Sequence, residues 1–250
     1  SFAKYGYFTD SEGGVAWATG DSVFGLAHTN GQFGFYGRPY FDSKVTGTTA
    51  AKYWSGATPI LNGGYQWGIS VPRPASTLTD LVTKATSLGG LISAGGNDVK
   101  IVFLSNGKVG VKIPASTGAT RNDTLPLASV APAGIIVVNN GNIRVQGTYQ
   151  GAVTIAAAKG SYSDKGHVYI ESNNLIAATN PVTNPLSPDM LGIVAEKNVI
   201  VAKDLTRNSS TVVNIQATIY SQTGKFIPED YVNLPNSGRI NVNGGIIANT

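Results

Sequence analysis

Few residues in this sequence carry groups able to do chemistry, and their spacing limits what they can do. The chain has no cysteine, which excludes disulfides, thiolate metal sites and a cysteine nucleophile. Acid–base cleavage of a glycosidic bond needs two carboxylates facing each other across the scissile bond. The nearest acidic neighbours are Glu229-Asp230 and Asp10 with Glu12, and none sits on an outward strand position beside another. Lyase chemistry asks for a calcium-binding cluster of carboxylates with an Arg or Lys base, and the acids here are spread too thinly to build one. Asp164, Asp189 and Asp204 read as turn residues, Glu171 and Glu196 as a solvated face, and Arg121-Asn-Asp123 as a solvated connection. His28 and His167 stand alone, whereas zinc wants three or four ligands, so they read as satisfied turn or core side chains. There is no Gly-x-Ser-x-Gly elbow and no phosphate-binding loop. These observations predict no catalytic residue, no metal and no cofactor. What is left is recognition. Trp54, Tyr65 and Trp67, in a turn-rich stretch over 48–74, form a candidate surface on which sugar rings stack.

The elements that position such residues are short strands. Five segments align: Gly141–Val145, Gly166–Ile170, Leu191–Ala195, Val213–Ala217 and Gly238–Val242. Their third column reads Ile143, Val168, Ile193, Ile215, Ile240, and their fifth Val145, Ile170, Ala195, Ala217, Val242. The column between, Arg144, Tyr169, Val194, Gln216, Asn241, is mostly polar. Period-two alternation of this kind marks half-buried strands, and its recurrence marks a solenoid. A second apolar patch follows each segment, as in Val199–Val201 or Ile219-Tyr220. The pattern predicts an all-β chain built as a right-handed parallel β-helix, with Asn173-Asn174, Asn198 and Asn214 among the residues of stacked amide ladders.

Organisation along the chain follows. Residues 1–250 read as a single β-helix domain: an aromatic-rich N-terminal coil and cap over 1–74, a helix–hairpin insertion over 75–133, and the main stack over 134–250. In the insertion, Ser76 or Thr77 caps a helix whose apolar stripe is Leu78, Leu81, Val82, Ala85 and Leu88, closed by Gly89-Gly90. That helix is expected to cover an open end or flank of the sheet. Asn106-Gly107, between alternating runs, predicts a hairpin. Loops are expected over 177–188, 203–211 and 222–235.

Only 13% of residues are charged, with 31 glycines and a net charge of +4, which fits strands and turns and gives no basic patch for nucleic acid. No apolar run approaches the length of a membrane span. The start at Ser1 instead of Met, and the ending Gly244–Thr250, read as places where a longer chain has been cut. The last strand, with Asn241, Val242, Ile246 and Ile247, reads as an unguarded edge able to pair with other copies.

Three stretches carry a resemblance: Tyr7-Phe8-Thr9 with Trp17–Asp21, His28–Gly31, and Asp189–Glu196 followed by Asn198-Val199. Together they resemble a bacterial family of β-helical envelope proteins of unknown function, associated with type IV pilus and secretion pseudopilin-like proteins. The resemblance implies export to the cell surface and a structural or adhesive role. It brings no site residues with it. The expected function is thus a non-enzymatic structural or adhesive protein of the bacterial surface, a component of a pilus-like or filamentous assembly with its own copies or envelope proteins. The alternative is a carbohydrate-binding or polysaccharide-processing β-helix module, a lyase or hydrolase, with glycans as partners.

Overall fold

The computed structural model describes residues 4–73, 78–116, 118–203, 211–230, 233 and 238–249. Seven strands come first: β1 (Tyr5–Thr9), β2 (Ser22–Val23), β3 (Leu26–Phe35), β4 (Tyr40–Phe41), β5 (Val45–Tyr53), β6 (Ile60–Leu61) and β7 (Tyr65–Trp67). The helix α1 (Leu78–Leu88) precedes β8 (Leu91–Ser93), β9 (Asp98–Phe103), β10 (Lys108–Ile113), β11 (Arg121–Pro126) and the single turn α2 (Leu127–Val130). Then come β12 (Ile135–Asn139), β13 (Asn142–Tyr149), β14 (Ala152–Ala158), β15 (Val168–Ala177), β16 (Met190–Ala195) and β17 (Val199–Val201). The last five are β18 (Val212–Gln216), β19 (Thr218–Ser221), β20 (Phe226–Pro228), β21 (Arg239–Asn243) and β22 (Ile246–Ala248). The fold is all-β with large parallel sheets. Among the described residues no helix is long and apolar enough to cross a membrane.

Contacts divide the chain into two compact units, Ser1–Ala75 with Gly245–Thr250, and Ser76–Gly244. In the first, β22, β1, β3, β5 and β7 form a parallel ladder with rows such as Ile246–Tyr7–Ala27–Val45–Tyr65. β2, β4 and β6 form a second, three-stranded ladder. Phe33, Phe35 and Phe41 are fully buried and make edge-on or stacked ring contacts within 6 Å of one another. The aromatic cap expected over the first residues is thus a packed core, except that Phe24 (72% exposed) and Tyr36 lie in solvent.

In the second unit one ladder runs β8–β12–β14–β16–β19 and another β9–β13–β15–β17–β20, with β18 pairing β15 and β21 pairing β18. Ile143 sits beside Val168 and Val145 beside Ile170, as the aligned columns predict. The third segment departs from them. Ile193 lies in the other sheet, between Ile155 and Ile219, while Val168 continues to Val199. Ile215 registers with Val242, not Ile240, a shift of one inward position. Period-two alternation is the same in every parallel strand, so it identifies the inward face but cannot assign a strand to a sheet.

Helix α1 forms where the stripe predicts it, and its capping residues lie outside the described residues. Leu78 and Ala85 pack on Val137 of β12 and Ala156 of β14. The helix therefore covers the sheet's face, where the small Ala156 and Ala158 let it approach; Leu88, 56% exposed, is not part of the contact. Its exit is fixed by Gly90, which has positive φ and whose Cβ would strike the Ile135 carbonyl. The hairpin also forms: β9 and β10 are antiparallel, Gly107 has φ +74° and Asn106 Oδ1 accepts the Lys108 amide. β11 adds a third antiparallel strand. The segment over 75–133 is tied into the parallel ladders, β8 to β12 and β9 to β13.

The expected edge is divided. Ile246 and Ile247 lie in β22, which pairs along β1, and Ile247 is buried. They are not an open edge, because the N-terminal strand already occupies it. Asn241 and Val242 lie in β21, which among the described residues pairs with β18 only.

Candidate functional site

Charged side chains gather on the outer face of β9, β10, β13 and β15. Parallel register aligns Lys100, Arg144 and Tyr169 in one row, and the hairpin sets Lys112 opposite Lys100. Their sequence neighbours Val99, Ile101, Val145 and Ile170 point inward and are fully buried. The apolar interior therefore fixes the direction of the charged row. Beside it lies an open groove of about 480 Å³ lined by Asp98, Lys100, Arg144, Lys165 and Glu171, with Pro114 among its remaining lining residues.

Arg144 is the hub. Its Nε donates to Asp98 Oδ2 at 2.7 Å and its Nη1 to Glu171 Oε1 at 2.8 Å. The other Glu171 oxygen meets Lys100 Nζ at 3.3 Å. The other Asp98 oxygen accepts from Asn142 Nδ2 at 2.9 Å, with Lys165 Nζ at 3.9 Å. The guanidinium carbon also lies 4.5 Å from the Tyr169 ring centre, a cation–π contact. Burial works to lower the Arg144 pKa, but the bonds to Glu171 and Asp98 outweigh it and hold the pKa above its ordinary value.

A chain of bonds pins the groove's margin. Asn142 Oδ1 accepts the His167 amide, His167 Nδ1 accepts the Asn198 amide at 3.3 Å, and Asn198 Oδ1 accepts the Lys225 amide. An imidazole nitrogen that accepts a backbone N–H carries no proton. Burial, and then the Lys197 charge, lower the His167 pKa, so the ring is neutral and its proton is on Nε2. Amide ladders form as the sequence suggests: Asn214 Nδ2 donates to Asn174 Oδ1, and Asn241 Nδ2 to Asn214 Oδ1, both at 3.0 Å.

His28 is fully buried against Phe8, with Nδ1 2.8 Å from the Thr46 hydroxyl and Nε2 3.0 Å from Asn30 Oδ1. Asn30 uses its Nδ2 on Asp10 and the Val71 carbonyl, so its Oδ1 is the acceptor and Nε2 of His28 holds the proton. Glu12 is also buried. Its Oε2 accepts from the Tyr7 hydroxyl and Trp17 Nε1, both at 3.3 Å, and burial pushes its pKa up to about 7. Of the turn acids, Asp189 is buried and accepts the Gly151 and Thr179 amides, fixing the loop from 177 to 189. Asp164 is exposed and paired with Lys165, and Asp204 lies outside the described residues.

The three aromatic candidates do not form one platform. Tyr65 and Trp67 stack at 5.3 Å on the face shared with Val45 and Gly47, where the Trp67 indole lies against Gly47. Trp54 lies over Gly34, with Lys52 Nζ 4.5 Å from its ring. Gly34 and Gly47 leave the space these indoles fill. The charged groove escaped sequence reading because Asp98 with Lys100, Arg144, Lys165 and Glu171 come from separate stretches of the chain. The available signal was the polar column containing Arg144 and Tyr169. No protein family, curated protein or solved structure matches this chain.

Proposed function

We propose that this chain is a right-handed parallel β-helix acting as a non-enzymatic, adhesive module of the bacterial cell surface, whose charged groove binds sugar chains without cleaving them. The observation that supports this best is the state of the groove carboxylates. Both oxygens of Glu171 and both of Asp98 are held by Arg144, Lys100, Lys165 or Asn142. A general acid or base needs an oxygen within reach of the substrate proton. These carboxylates instead hold a guanidinium in place, which suits recognition by a rigid surface. The repeated parallel ladders with inward apolar rows support the β-helix. Placement at the surface, with other copies or envelope proteins in a pilus-like or filamentous assembly, rests on the resemblance described above.

The test is calorimetric titration with a panel of oligosaccharides, run beside an assay for newly formed reducing ends. The expected result is saturable binding, weakened in Arg144→Gln without a change in far-ultraviolet circular dichroism, and no new ends. Reducing ends formed in proportion to protein would contradict the proposal.

A second reading, self-association through β21, is favoured by one observation. The amide ladder ends at Asn241 on a strand with one paired side among the described residues, and Ile240 is 38% exposed there. Such an edge can template another strand.

A further inference from the structure

Resting on the proposal that the groove binds sugar chains, we infer that the chains it takes are acidic, with a sugar carboxylate seated between Lys112 and Lys100. The argument begins with the hairpin. Lys112 and Lys100 are direct partners on antiparallel strands, so their side chains leave the same face. Like charges so placed destabilise a sheet, and strands more readily place an acid opposite a lysine. Here the neighbouring position on β11 is Asn122, and Asp123 registers with the inward Val111, on the other face. Asp123 is itself paired with Arg121.

The acids within reach are already committed. Glu171 divides its two oxygens between Arg144 and Lys100, so Lys100 has half a carboxylate as counter-charge. Asp98 is held by Arg144 and Asn142, with Lys165 at the longer distance of 3.9 Å. The groove lining carries Lys100, Arg144 and Lys165 against Asp98 and Glu171. Lys112 adds a positive charge beside it for which no acidic partner is found among the described residues.

The excess charge therefore lies along the Lys112–Lys100 row, next to a groove large enough for one or two sugar rings. A carboxylate there would relieve the lysine–lysine repulsion and complete the alternation of charge that continues through Glu171 and Arg144. Arg144 is not the ligand's partner, since its bonds to Asp98 and Glu171 neutralise it. It positions Glu171, which in turn aims Lys100.

The test uses the 250-residue chain and three probes: an oligogalacturonate, its fully methyl-esterified and hence uncharged form, and inorganic sulfate. The acidic oligomer should bind, more weakly as salt is added, and the ester about tenfold more weakly or worse. Lys112→Gln should remove most of that difference. Equal affinity for acid and ester would overturn the inference and leave sugar binding by the groove intact. Binding of neither would overturn both. Sulfate competing as well as the oligomer at equal concentration would identify a general anion site and overturn the inference.

Discussion

Lys112 and Lys100 face each other across the β9–β10 hairpin, on the side of the sheet where Glu171 reaches Lys100 at 3.3 Å. An opposed pair of like charges is a liability that a single substitution can remove. Lys112→Glu should stabilise the protein by about 0.5 kcal/mol, since an opposite-charge cross-strand pair replaces a repulsive one. Urea unfolding in low salt measures this, and the gain should shrink as salt is raised. The same variant should lose binding of acidic oligomers. Stability would then rise as function falls.

Glu12 gives a pH dependence of defined sign. Its folded pKa, about 7, lies above its ordinary value of 4.5 because of burial. The folded state therefore holds the proton more tightly than the unfolded chain. Stability is greatest below the unfolded pKa and falls as pH rises through the folded one. Across that window the loss is up to about 3 kcal/mol, as an order of magnitude. Thermal melts between pH 4.5 and 8 should show the decline, and Glu12→Gln should flatten it and raise the melting temperature at pH 8. A wild-type curve that rises with pH over this range would contradict the assignment.

Asp189 tests how the loop from 177 to 189 is held. Its two oxygens accept the Gly151 and Thr179 amides at 2.6 and 2.7 Å. Asp189→Ala leaves both donors without their acceptor, at a cost of about 2–3 kcal/mol. Hydrogen exchange should speed up at those two amides, while Ile155 and Ile193 in the ladder stay protected.

The two halves of the C-terminal edge should behave differently. Ile247 is buried in β22 beside Phe8 of β1, so Ile247→Lys buries a charge without a partner and should unfold the protein. Val242 lies on β21, and Val242→Lys should leave the melting temperature within a few degrees while reducing any end-on association seen by light scattering. Reversed outcomes would place the open edge at β22.

How much of this was legible follows from which interactions are local. The helix over 78–88 and the turn at Asn106-Gly107 are encoded by spacing within a few residues, and both formed. The inward rows were legible too, because a fully buried Ile143 or Val168 alternates with polar neighbours. Strand partners were not. Ile193 carries the same alternation as Val168 yet pairs in another sheet, and alternation marks the inward face without naming the partner. The groove was hidden for the same reason: Asp98, Arg144 and Glu171 meet only once β9, β13 and β15 are in register. Trp54, Tyr65 and Trp67, close in sequence, were readily grouped, but Trp54 and Trp67 fill the spaces over different glycines.

The most direct test of the central claim is nuclear magnetic resonance titration of isotope-labelled protein with an acidic oligosaccharide, with products monitored in the same tube. The account predicts saturable shifts centred on Lys100, Lys112, Arg144 and Glu171, with the oligosaccharide intact at the end. Shifts confined to Tyr65 and Trp67, or a shortened oligosaccharide, would contradict it.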